Sequence, residues 1–176
     1  MKVRRVVTGH NAKGEATVAS DTEVDGITVK IAPGTEFHNL WGADKTVKLP
    51  DDGSQPITYP HFPSEGGFRF TFFTVPPTSQ SVSVEIDTEQ AMVEMEEKLP
   101  GMAELFEEDN PVMHTSDTID CEYVISGEVW LELDNGGEVH LKAGDTVVQN
   151  GTRHAWRNKS TEPCVLVAFL VGANRI

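Results

Sequence analysis

Two cysteines and two tyrosines stand in a chain of 176 residues, and 14 lysines and arginines face 28 aspartates and glutamates. Each scarcity excludes something. Cys121 and Cys164 are too few for a disulfide scaffold, and a bridge between them would need their strands to adjoin. After "MKVRRVVTGH" comes "NAKGEATVASD", which lacks the apolar run of an export signal. Reduced thiols and a cytoplasmic location are therefore expected. A formal net charge of −14 leaves little from which to build the basic stripe of a nucleic-acid binder and disfavours anionic membrane surfaces. No stretch reaches the ~18 apolar residues of a membrane span; the longest, "CVLVAFLVGA", has strand length. Hydrophobic residues at 38% and charged residues at 24% suit one globular domain, 1–176, with a real core.

Strand signals dominate. "VRRVVTG" and "EATVAS" flank the turn-rich "HNAKG" and predict a hairpin. "GITVKIA" alternates Ile27, Val29 and Ile31 and predicts a strand ended by Pro33-Gly34. Residues 44–67 are rich in proline and glycine and read as a long irregular connection, of the kind that is often functional. "FRFTFFTVPP" is the next strand, with Phe68, Phe70 and Phe72 on one face and Arg69, Thr71 and Phe73 on the other. Residues 1–86 thus form an N-terminal β extension and barrel strands. Residues 87–107 form a helical segment, opened by Asp87 as N-cap with Gln90 three residues on. Met92, Met95 and Leu99 recur there at helical spacing, Pro100 stops the helix, and "GMAELF" supplies a second short turn. From 112 to 173 short strands alternate with turns such as Asn135-Gly136. The fold class is all-β, a sandwich, jelly roll or barrel with one or two short helices.

Within 112–173, "HTSDTIDCE" poses a question. Steps of two give His114, Ser116, Thr118, Asp120 and Glu122 on one face, and Ile119 and Cys121 on the other. A solvated sheet edge is one reading; the lining of a cavity is the other. In "TRHAWRN", Thr152, His154, Trp156 and Asn158 share a face while Arg153 and Arg157 point away. A tryptophan beside a histidine favours enclosure, which would bring two imidazoles and carboxylates together.

These residues resemble the two motifs of the cupins, small double-stranded β-helix barrels. The first motif reads His114-x-Ser116-x3-Asp120-x6-Gly127, and the second runs from Gly144 with Gly151-x2-His154-x3-Asn158. Ser116 occupies the place of the second histidine, Asp120 that of the glutamate and Glu108 that of the first glycine; Gln149 stands where the proline would be. The resemblance implies a cupin-like jelly roll with 112–173 as its core motifs. It also implies a lumen that takes a small molecule, and a homodimer to which aromatic and β-rich N-terminal segments would contribute. As to function, it spans dioxygenases, decarboxylases, isomerases and non-enzymatic proteins.

Three readings of the site follow. In the first, His114, His154 and Asp120 hold a divalent transition metal (iron, manganese, nickel or zinc), with Glu122 able to replace or supplement Asp120. In the second, Asp120 and Glu122 act as general acid and base without a metal. In the third, the barrel binds a metabolite and catalyses nothing. Trp156 and phenylalanines would form an apolar wall, and Ser116 would be a polar lumen residue. Arg69 would bind a substrate carboxylate through its planar fork or snorkel to a rim. His140 is expected on a solvated strand, and His10 and His61 at the surface.

Overall fold

The computed structural model describes residues 2–56, 60–80, 87–107, 109–110 and 112–176. Its strands are β1 (Val3–His10), β2 (Ala16–Val24), β3 (Glu36–Ala43), β4 (Phe68–Val75), β5 (Thr118–Ser126), β6 (Glu128–Glu132), β7 (Glu138–Lys142), β8 (Thr146–Asn150), β9 (Ala155–Arg157) and β10 (Cys164–Gly172). Among the described residues one α-helix, α1 (Thr88–Lys98), lies between β4 and β5. None of the described helices is long and apolar enough to cross a membrane. Glu108, at the first glycine position of the motif, lies outside the described residues.

β1 and β2 pair as the expected hairpin, a two-stranded sheet of their own. Asn11 shapes its turn, accepting at Oδ1 from the amides of Lys13 and Glu15, a local bond that suits asparagine to turns. The barrel is built from two further sheets, one ordered β3-β4-β10-β5-β8 and one ordered β7-β6-β9. Gly127 is the corner where the chain leaves the first sheet for the second. Its φ is +76°, and a Cβ there would lie 2.6 Å from the Pro163 carbonyl oxygen; glycine alone meets both demands without cost. Asn135 and Gly136, with φ of 57° and 73°, turn β6 into β7, as positive φ at both central residues requires.

Apolar residues of the two inner faces meet between the sheets. Val124, Leu166, Ala168 and Leu170 come from the five-stranded sheet, and Val129, Leu131 and Leu141 from the three-stranded one. A second cluster forms beneath α1, where Met95, Leu99 and Met102 pack on Val29. Asp87 caps the helix as expected, its side chain accepting from the Gln90 amide. The short turn beyond Pro100 is a 3-10 helix at Ala103–Leu105.

One expectation fails. The stretch 27–31 is not a strand: Ile27 makes a single bridge to Phe37, and the chain turns so that the Ala32 amide bonds to the Val29 carbonyl. Its alternating apolar residues pack against α1 instead of entering a ladder. The thiols are both free. β5 and β10 do adjoin, but Cys121 sits opposite Phe169 and is exposed, whereas Cys164 is buried beside β4 opposite Val75.

Candidate functional site

Burial answers the question posed by "HTSDTIDCE". Ser116, Thr118, Asp120 and Glu122 are all buried, while Ile119 and Cys121 face outward. Asp120 and Glu122 project from β5 into a cavity of about 210 Å³ between the sheets. Across it, the His114 amide donates to the His154 carbonyl and the His154 amide returns the bond to His114, both at 3.0 Å. Residues that exchange both bonds are directly opposed, with side chains on one face, and the two imidazole centroids stand 4.3 Å apart. Trp156 lines the same cavity, 6.0 Å from the His154 ring.

The electrostatics follow from enclosure. Burial pushes the Asp120 carboxyl up to about 6, although hydrogen bonds from Thr118 and Ser116 oppose the shift. Glu122 is raised well above the ordinary glutamate range, first by burial and then by the neighbouring Asp120. Asp120 Oδ1 and Glu122 Oε2 are both buried without a hydrogen-bond partner among the described residues. Burial, reinforced by the nearby His154, depresses His114 to about 4; burial also lowers His154. At neutral pH the imidazoles are therefore uncharged. Thr152 O lies 2.9 Å from His154 Nδ1 and, as an acceptor, places the proton on that nitrogen, leaving Nε2 as the acceptor.

The two other expected substrate ligands are placed elsewhere. Arg69 is buried, but it does not line the cavity. Its guanidinium donates to the carbonyls of Ala43 and Phe68 at 2.9 Å and of Pro60 at 2.6 Å, and forms an ion pair with Asp44. It ties the 44–67 connection to β3 and β4, so both the substrate-carboxylate role and snorkelling to a rim give way to a structural clamp. Ser116 also lies outside the cavity lining; its hydroxyl is 2.7 Å from that of Thr118. It sits behind Asp120 instead of facing a ligand.

The metal expectation meets a further difficulty. His114, His154 and Asp120 do share the cavity, yet the described residues include no group of three or more histidines, cysteines, aspartates and glutamates placed to hold a metal ion. The donor chemistry explains this. Ser116 cannot supply the missing imidazole, and Asp120 is a shortened acid on the opposite sheet. The residues present do not fit a 2-His-1-carboxylate centre.

His61 corrects a surface expectation. It is buried, lines the cavity and packs edge-on against Phe37 and Phe62. Burial, with the Arg69 charge nearby, depresses it to about 4. It lies in the irregular connection, where no periodicity marks a buried position. His140 is paired with Glu128 at 2.7 Å and stacked on Trp130, on a part-exposed face as expected.

Residues 107–170 match the family model described as "Cupin domain", which supports the cupin superfamily for that part of the chain. Phomopsin biosynthesis cluster protein C' of Diaporthe leptostromiformis is 29% identical over 157 residues, covering 89% of this chain and 70% of that protein. Oryzines biosynthesis cluster protein J of Aspergillus oryzae is 46% identical over 50 residues, 28% of each chain. Among solved structures, the Cnp3 cupin domain of Schizosaccharomyces pombe aligns with a TM-score of 0.50 at 10% identity, covering 96% of this chain and 87% of that one. At that identity the likeness concerns the fold alone.

Proposed function

We propose that the chain is an enzyme that moves protons on a small molecule held in the barrel cavity, an isomerase- or lyase-type reaction with Asp120 and Glu122 as the acid–base pair. The observation that carries this reading is two buried carboxyls, two residues apart on the cavity face of β5, each with an unpartnered oxygen. Neighbouring carboxyls in low dielectric share a proton because both cannot ionise cheaply. One member is then a base while the other remains an acid. The neutral imidazoles of His114 and His154 face them and supply further acceptors, and Trp156 with the phenylalanines orients the substrate. Relatives named for phomopsin and oryzine biosynthesis clusters support a place in making a small molecule. The two free thiols support a reducing, cytoplasmic setting.

Exchange of a substrate C–H for solvent deuterium, followed by mass spectrometry across a library of small metabolites, tests the reaction. Asp120→Asn and Glu122→Gln are each expected to slow exchange by about 10²–10⁴-fold, the usual worth of a positioned acid or base. Undiminished exchange in Asp120→Asn overturns the assignment. Dialysis against a chelator is expected to leave exchange unchanged. A stoichiometric ion whose removal stops exchange, and which His114→Ala and His154→Ala release, would establish a metal centre instead.

We also propose that the chain works as a homodimer through the outer face of the five-stranded sheet. Phe70, Ile119, Tyr123, Ile125, Val148 and Phe169 are exposed there, around the exposed Cys121. None of these residues carries a charge, although the chain has a formal net charge of −14. Two acidic copies repel over most of their surfaces, and an uncharged apolar face is where they meet at least cost. Light scattering is expected to give twice the chain mass, falling to one chain mass in Tyr123→Glu and Phe169→Glu with circular dichroism unchanged. A single-chain mass for the unmodified protein overturns the dimer.

A further inference from the structure

The cavity wall contains acids, imidazoles and aromatic rings but no lysine or arginine among its described residues. The buried cation nearest in role, Arg69, has its guanidinium engaged by three backbone carbonyls and Asp44. A ligand carboxylate or phosphate entering the cavity would therefore meet two acidic groups and no counter-charge. The unmet need is of the opposite kind. Asp120 Oδ1 and Glu122 Oε2 are acceptors without donors among the described residues, and each such group carries a desolvation cost that a ligand N–H would relieve. The remaining wall includes Phe37, Phe62, Phe73, Phe106 and Trp156, whose ring faces attract a cation. The volume also indicates how much of a ligand is held inside: an apolar cavity of roughly 150 Å³ holds benzene, so about 210 Å³ accommodates one ring with a short substituent.

We infer that the cavity binds a small amine bearing a single ring, with the nitrogen donating to Asp120 and Glu122 and the ring packed against Phe73 and Trp156. This rests on reading Asp120 and Glu122 as the working groups of the cavity. It concerns binding alone, so it stands or falls separately from catalysis.

Three probes of one shape test it by calorimetry on the full chain: 2-phenylethylamine, 2-phenylethanol and 3-phenylpropanoate. The amine is expected to bind at least about tenfold more tightly than the alcohol, as complementary charge in a desolvated site predicts, with the carboxylate weaker than either. Glu122→Gln and Asp120→Asn, close in shape to the native residues, are expected to erase the amine's advantage over the alcohol. His140→Ala, outside the cavity, is expected to leave it intact. Carboxylate binding equal to that of the amine overturns the inference, as does an amine advantage that survives both cavity substitutions, or no amine binding at millimolar concentration. Amine-selective binding together with undiminished deuterium exchange in Asp120→Asn would keep the ligand class and remove the acid–base role. Selectivity for the carboxylate with Asp120-dependent exchange would do the reverse.

Discussion

Arg69→Ala is expected to destabilise the fold by about 3 kcal/mol, the upper end of what leaving buried acceptors without their donor costs. The guanidinium is buried, and its donors run to Ala43, Phe68 and Pro60 as well as to Asp44. Alanine would take the donors away from all three carbonyls at once. It would also unfasten the 44–67 connection that places His61 against the cavity. Because whole domains are stable by only ~5–15 kcal/mol, the loss should appear as a large fall in the denaturation midpoint. Arg69→Lys keeps the charge but cannot reproduce the fork, so it is expected to recover only part of the difference. A variant with native stability but weakened ligand affinity would return Arg69 to substrate binding.

The acid limb of the stability curve provides the second large effect. His61 titrates at about 4 in the folded chain against an ordinary 6.5. As pH falls below 6.5 the unfolded chain takes up a proton that the folded one refuses, so stability is lost down to about pH 4 and levels off below. At ~1.4 kcal/mol per unit of pKa difference, this loss is about 3 kcal/mol. His114, also depressed to about 4, acts in the same direction. Asp120 opposes them: its folded carboxyl, at about 6, holds a proton that an unfolded one releases, which adds stability as pH falls from 6 toward 3.8. His61→Gln is therefore expected to lose less stability between pH 7 and pH 4 than the unmodified chain, and Asp120→Asn to lose more. Urea denaturation at pH 7, 5.5 and 4 measures both. An acid limb unaltered by His61→Gln would mean that its ring is hydrated in solution.

Residue periodicity accounts for what was readable beforehand. The two-residue alternation from His114 to Glu122 is a backbone property of a strand, so it placed Asp120 and Glu122 together on one face. The glycine at 127 and the Asn135-Gly136 pair marked turns because few residues tolerate their conformations. Periodicity misled at Ile27, Val29 and Ile31, where the same alternation served a turn packed under a helix. It was silent about His61, whose burial depends on a connection held by Arg69 rather than on a repeating pattern. Arg69 itself could be placed on the face it shares with Thr71 and Phe73. Which carbonyls it would meet depended on Pro60 and Ala43, residues that only the folded chain brings near.

The rung joining His114 to His154 separates two kinds of change during descent. The spacing of the imidazoles belongs to main-chain hydrogen bonds, whereas the acids opposite them are individual side chains on another sheet. A lineage can therefore alter residues 116, 120 and 122 while inheriting the histidine pair intact. Substitutions at these positions therefore leave the wall facing them in place.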